Sequence, residues 1–129
     1  MKRIIAITSW QNRISPVFDT AQKLLIFELN DKSEISRREE IVGFNVPFQK
    51  INALVRSGAK TLICGAITEQ IKSQIEEAGI KVLSFICGDI SSVMQAYLAG
   101  RDIKSEFAMP GCKNQRRRRR RGRYMYLNY

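Results

Sequence analysis

SGAKTLICGAITEQIKSQIEEAGIKVLSFICGDI, residues 57–90, is the stretch that decides the fold. Two units of one design follow each other in it. Ser57-Gly58-Ala59-Lys60 leads to Ile63-Cys64-Gly65-Ala66-Ile67, and Ala78-Gly79-Ile80-Lys81 leads to Ile86-Cys87-Gly88-Asp89-Ile90. In each, a helix ends at glycine, lysine enters an apolar run, and the run exits through Ile-Cys-Gly into the next helix. Thr68 is the N-cap of a helix that turns Ile71, Ile75 and Ala78 inward and stops at Gly79. Asp89 caps a last helix with Ile90, Val93, Met94, Tyr97 and Leu98 on one side, stopped by Gly100. Strands over 61–64 and 81–87, alternating with these helices, call for parallel pairing through right-handed crossovers. The units differ by two residues in strand length, so they share an architecture without showing a duplication.

Upstream, the β-branched run 3–9 reads as a buried first strand and 10–19 as a loop punctuated by Gln11-Asn12 and Ser15-Pro16. Residues 23–29 and 34–42 read as strands joined antiparallel by Asn30-Asp31-Lys32-Ser33, which has hairpin chemistry. Pro47 opens a helix with Phe48, Ile51, Leu54 and Val55 at helical spacing, ended by Gly58. The order β-β-β-α-β-α-β-α describes one α/β domain over residues 1–112.

The chain has 129 residues, 44% of them hydrophobic, room for one domain with a real core and a tail. Its net charge of +10 is unevenly placed: residues 1–112 carry 14 Lys/Arg against 12 Asp/Glu, whereas 113–129 carry 8 basic residues and no acid. The apolar run after Met1-Lys2-Arg3 breaks at Thr8-Ser9-Trp10, short of a signal sequence, and no run approaches the roughly 18 residues of a membrane helix. A cytoplasmic setting with reduced thiols is the expectation, and three cysteines, an odd number, argue against a disulfide framework. The absence of histidine excludes Ser-His, Cys-His and Cys₂His₂ chemistry.

If strands 61–64 and 81–87 are parallel neighbours, Cys64 and Cys87 lie at the carboxyl edge of the sheet, where open α/β sheets bind ligands. Gly65 and Gly88 let a ligand approach the backbone, and each following helix N-terminus favours a thiolate or an anion. The loop 10–19 leaves the same edge. The plain alternative for a cysteine in an apolar strand is a small buried hydrophobe. Cys112, in Met109-Pro110-Gly111-Cys112, lies outside any periodic element and is either a surface thiol or a third soft ligand. Three thiolates would suit an iron–sulfur-type cluster with a metal position left open for transfer.

The tail holds Arg116, Arg117, Arg118, Arg119, Arg120 and Arg121, then Gly122-Arg123-Tyr124-Met125-Tyr126-Leu127-Asn128-Tyr129. Such a segment is expected to be a disordered basic tail. It could bind nucleic acid through phosphates and stacking, or hold another anionic partner or an anionic cluster.

Residues 2–112 resemble the dinitrogenase iron–molybdenum cofactor biosynthesis family. The marks are Arg13-Ile14-Ser15-Pro16-Val17-Phe18-Asp19-Thr20-Ala21, Ile63-Cys64-Gly65-Ala66-Ile67, and Gly88-Asp89 opening a helix that runs into Ala96-Tyr97-Leu98-Ala99-Gly100. The resemblance implies a ribonuclease-H-like three-layer α/β/α fold with a mixed five-stranded sheet. It also implies a non-catalytic role: binding or carrying an iron–sulfur or molybdenum–iron–sulfur cluster between donor and acceptor proteins. The cofactor-binding residues are then expected at Phe18, Asp19, Cys64, Gly65, Cys87 and Gly88, with metal on Cys64, Cys87 and Cys112. Some relatives place histidine where this chain has Val17, so ligation here falls to thiolates, carboxylates or backbone. Two rivals remain: a nucleic-acid- or anion-binding module acting through Arg116–Arg121, and a nuclease. Two-metal phosphodiester cleavage needs converging carboxylates, and residues 3–9 contain none, which disfavours the nuclease.

Overall fold

The most continuous apolar run, Ile4-Ile5-Ala6-Ile7, lies in a nine-residue strand, β1 (Lys2–Trp10), at the centre of the sheet. The computed structural model describes residues 2–30, 33–42 and 47–110. After β1 come β2 (Arg13–Ile14), β3 (Lys23–Asn30), β4 (Ser33–Ile41), α1 (Pro47–Ser57), β5 (Thr61–Ile63), α2 (Glu69–Glu77), β6 (Lys81–Leu83), α3 (Ile90–Leu98) and α4 (Ile103–Glu106). Asp31, Lys32, the side chain of Phe48, Cys112 and the arginine run lie outside the described residues.

Strands run in the order β4-β3-β1-β5-β6, with β2 folded back on the end of β1, so the sheet has six strands and not five. It is mixed: β1–β3 and β3–β4 are antiparallel, β1–β5 and β5–β6 parallel. Alternation along β1 divides the core. Ile5 and Ile7 pack with Ile63, Val93, Met94 and Ala96 on the α3 face. Ala6 joins Leu62, Ile51, Leu54 and Ile75 on the face covered by α1 and α2. Helices on both faces are why the parallel strands read as unbroken apolar runs. Burial of each large aliphatic side chain contributes on the order of 1.5–3 kcal/mol. The two caps form as the sequence indicates: Thr68 Oγ1 accepts from Ile71 N–H at 3.3 Å and Asp89 Oδ2 from Ser92 N–H at 3.1 Å.

Two expectations need correction. Residues 10–19 are not all loop, because β1 continues to Trp10 and the chain returns at once as β2. The reversal puts Gln11 and Asn12 at φ of 51° and 66°, the paired left-handed residues of a two-residue hairpin. Asn favours that region but Gln does not, so the dipeptide reads as a loop. The last strand ends at Leu83, four residues before Cys87. Phe85 has φ of 60°, which breaks extended geometry, and an antiparallel bridge from Ile86 to Ala108 takes over. α4 is a further element that the apolar spacing did not announce. Among the described residues no helix is long and apolar enough to cross a membrane.

Candidate functional site at the carboxyl edge of the sheet

Pairing continues past the strand ends. Ala66 N–H donates to Pro16 O (2.8 Å), Phe18 N–H to Ala66 O (2.9 Å) and Phe85 N–H to Gly65 O (2.9 Å). Ile86 N–H donates to Cys64 O (3.0 Å), Cys87 N–H to Phe107 O (2.8 Å) and Met109 N–H to Phe85 O (2.9 Å). Segments 15–18, 64–66, 84–87 and 107–109 therefore lie side by side along the carboxyl edge. The β2 hairpin is tied to the start of α3 by Ile14 N–H to Gly88 O and Ile90 N–H to Asn12 O, both 3.0 Å.

This knitting assigns Gly65 a role different from the expected one. A Cβ there would lie 2.4 Å from Pro16 O and 2.5 Å from Ser15 O, so the close approach is made by the protein's own loop. At Gly88 the requirement is conformational, with φ of 132°, and Phe107 packs over it.

The two cysteines occupy different environments. Cys64 is fully buried in the cluster with Ala6, Phe18, Leu62 and Ile75. Burial pushes its thiol up to about 12, against a weaker opposing pull from Lys72 and Lys104. It is a neutral thiol at physiological pH, shut off from solvent. Cys87 is half-buried, and its Sγ lies 3.8 Å from Ala108 O. Among the described residues, no three Cys, Asp or Glu side chains are grouped to hold a metal ion.

Phe18 is also fully buried and anchors its loop in the core. Asp19 is half-buried, and its Oδ1 is buried without a hydrogen-bond partner. Beneath both lies a residue the sequence reading missed. Lys50 of α1 is fully buried; its Nζ donates to Phe18 O at 2.8 Å and to Asp19 O, and stands 5.4 Å from the Phe18 ring centroid. Burial holds its ammonium below the ordinary lysine range, with the Asp19 carboxylate opposing that shift. One signal could have exposed it: Lys50, Ala53, Leu54 and Ser57 share a helical stripe, which places a cation among inward positions.

Beside this loop opens a cleft of about 470 Å³, lined by Ser9, Trp10, Gln11, Ser15, Pro16, Thr20, Ala21, Gln22 and Lys23. The lining residues carry hydroxyls, amides, one indole and one ammonium and no carboxylate, and that ammonium, of Lys23, lies 3.9 Å from Glu39. Such a lining suits a polar guest. Trp10 (55% exposed), Val17 (40%) and Phe85 (38%) add apolar surface on the same edge.

A family model described as dinitrogenase iron–molybdenum cofactor matches residues 1–100, and the chain belongs to that family. Three solved structures are similar. The crystal structure of PH0822 covers 87% of this chain and 98% of its own, at 17% identity and a TM-score of 0.74. The apo form of the orange protein from Desulfovibrio gigas covers 77% and 89%, at 19% identity and 0.64. MJ0327 from Methanococcus jannaschii covers 86% and 95%, at 20% identity and 0.63. At these identities the likeness establishes the fold. No curated protein matches the sequence.

Proposed function

We propose that this member of the family, on a ribonuclease-H-like frame, binds and carries an anionic iron–sulfur or molybdenum–iron–sulfur cluster during metallocofactor assembly, without catalysing a reaction. The observation that carries the reading is the acid-free cleft at the carboxyl edge, on a chain matched by this family's model over residues 1–100. An anionic cargo would meet the amide and hydroxyl donors, the Trp10 ring and Lys23, whose ammonium it would share with Glu39, 3.9 Å away. Cys87 lies outside the cleft lining, two segments along the same edge, and is the half-buried thiol that would supply a ligand to a cargo reaching across that edge, since Cys64 is sealed and protonated. Cys112 stands two residues beyond Pro110 in the chain, and Ala108, against which Cys87 Sγ rests, is only four residues before it. Four residues span at most about 14 Å, so Cys112 is within reach of the same cluster. The arginines Arg116 to Arg121 follow directly and would neutralise cargo charge. Donor and acceptor proteins of cofactor assembly are the proposed partners.

The test is anaerobic purification from native cells with iron, molybdenum and sulfide analysis, repeated on chains ending at Cys112 and at Gly111. Bound metal and sulfide are expected in the intact chain, retained when the chain ends at Cys112 and reduced when it ends at Gly111. An intact protein free of metal and sulfide after cluster-sparing purification would end the carriage reading. Salt-sensitive retention of RNA or DNA in its place would favour the nucleic-acid module.

A further inference from the structure

We infer that Lys50 is the positioning residue of the cleft: its buried ammonium holds the carbonyls of Phe18 and Asp19 and so fixes the loop that forms one wall. The consequence for cargo rests on the carriage reading; the consequence for the loop does not.

The loop is anchored on two sides. Phe18 N–H pairs outward with Ala66 O, and Val17 bridges to Ala66, so this side is tied to the strand-end ladder. The carbonyls of Phe18 and Asp19 are held from α1, where Nζ of Lys50 donates to both, and Ala21 N–H also donates to Phe18 O at 3.2 Å. With the two carbonyls and the Phe18 ring, this is a cation site that the chain fills with its own ammonium. Ser15, Pro16, Thr20, Ala21 and Gln22, the residues flanking this anchor, form the loop wall of the cleft. A buried lysine is a poor choice for stability alone, since an apolar side chain of similar volume is often neutral or better. An alkyl chain, however, leaves the carbonyls without a donor, and they must turn toward water, moving the wall with them.

Trp10 is the only tryptophan of the chain and lines the cleft opposite this loop, so its fluorescence reports the wall without any cargo. Lys50→Met and Lys50→Ala are compared with the wild type by acrylamide quenching of Trp10, by thermal melting and by anaerobic uptake of iron and sulfide. Both variants are expected to quench more readily. Uptake should weaken by at least about tenfold, the loss that one charge-assisted hydrogen bond represents. Propylammonium, which restores the deleted chain, should bring Lys50→Ala back toward wild-type quenching and uptake and leave the wild type unchanged. A folded Lys50→Met with wild-type quenching and uptake overturns the inference. So does a Lys50→Ala whose defect follows its melting temperature and ignores propylammonium. If wild-type protein takes up no iron and sulfide, the carriage reading fails, and Trp10 quenching still decides the role of Lys50.

Discussion

Residues 61–67 and 81–87 occupy equivalent places in two parallel strand-to-helix units, and they treat their cysteines oppositely. In sequence Cys64-Gly65 aligns with Cys87-Gly88, but in space Leu62 pairs with Val82 and Ile63 with Leu83, so Cys64 corresponds to Ser84 and Gly65 to Phe85. In the first unit the loop 15–16 presses on Gly65 and seals the exit, leaving Cys64 in the core. The second exit is closed differently: Phe85 takes φ of 60°, segment 107–109 pairs with 85–87, and Ile86 and Cys87 follow before Gly88. Cys87 is thereby carried past the sheet to the rim. An Ile-Cys-Gly motif does not specify whether its thiol is reachable; the segment packed over it does.

The largest expected effect comes from the covered unit. Gly65→Ala drives a methyl into two backbone oxygens and should cost roughly 3 kcal/mol by urea unfolding. Gly88→Ala meets the Phe107 ring at 3.4 Å and Val93 at 3.8 Å, both side chains, on a left-handed backbone, and should cost about 1–2 kcal/mol. If Gly88→Ala proved the costlier, the covering loop would not be what distinguishes the units.

Alkaline titration comes next. The unfolded chain loses the Cys64 proton near 9.0, while the folded chain keeps it to about 12. Between those values the native state binds more protons, so stability should fall as pH rises, by at most about 1.4 kcal/mol per pH unit. Lys50 works the other way. Its folded pKa is depressed, so just below 10.5 the unfolded chain binds more protons and stability rises with pH. Cys64→Ala should abolish the decline and uncover the rise. An unchanged decline would mean that Cys64 ionises in the folded protein.

The smallest effect belongs to the second exit. Phe85→Asn relieves the left-handed strain while giving up a ring already 38% exposed, so the net change should stay under about 1 kcal/mol. A much larger loss would show this exit to be sealed like the first.

Periodicity made the long strands and the three main helices legible, since Ile5 and Ile7 against Ala6, and Ile75 or Val93 on their helices, repeat at the spacing their elements bury. Glycine stops and the Thr68 and Asp89 caps placed the ends of the second half. What stayed hidden depends on contacts between distant segments. The hairpin at Gln11-Asn12 and the break at Phe85 put Gln11 and Phe85, types that rarely adopt it, in the left-handed region. The burial of Lys50 exists only once residues 18–19 lie over α1, 31 or more positions away. For the site, the edge was legible, but none of the residues lining the cleft was among the predicted cofactor-binding residues. The split between a sealed and a reachable thiol was not legible, because Cys64 and Cys87 have the same neighbours in sequence.

The measurement that bears most directly on the account is anaerobic reconstitution with iron and sulfide, with and without molybdate, of Cys64→Ala and Cys87→Ser side by side, each checked for folding. The account predicts that Cys64→Ala develops the same sulfur-to-metal charge-transfer absorption as the wild type and that Cys87→Ser loses most of it. Full absorption in folded Cys87→Ser, or its loss in folded Cys64→Ala, would contradict the assignment of the cargo to the reachable thiol at the rim.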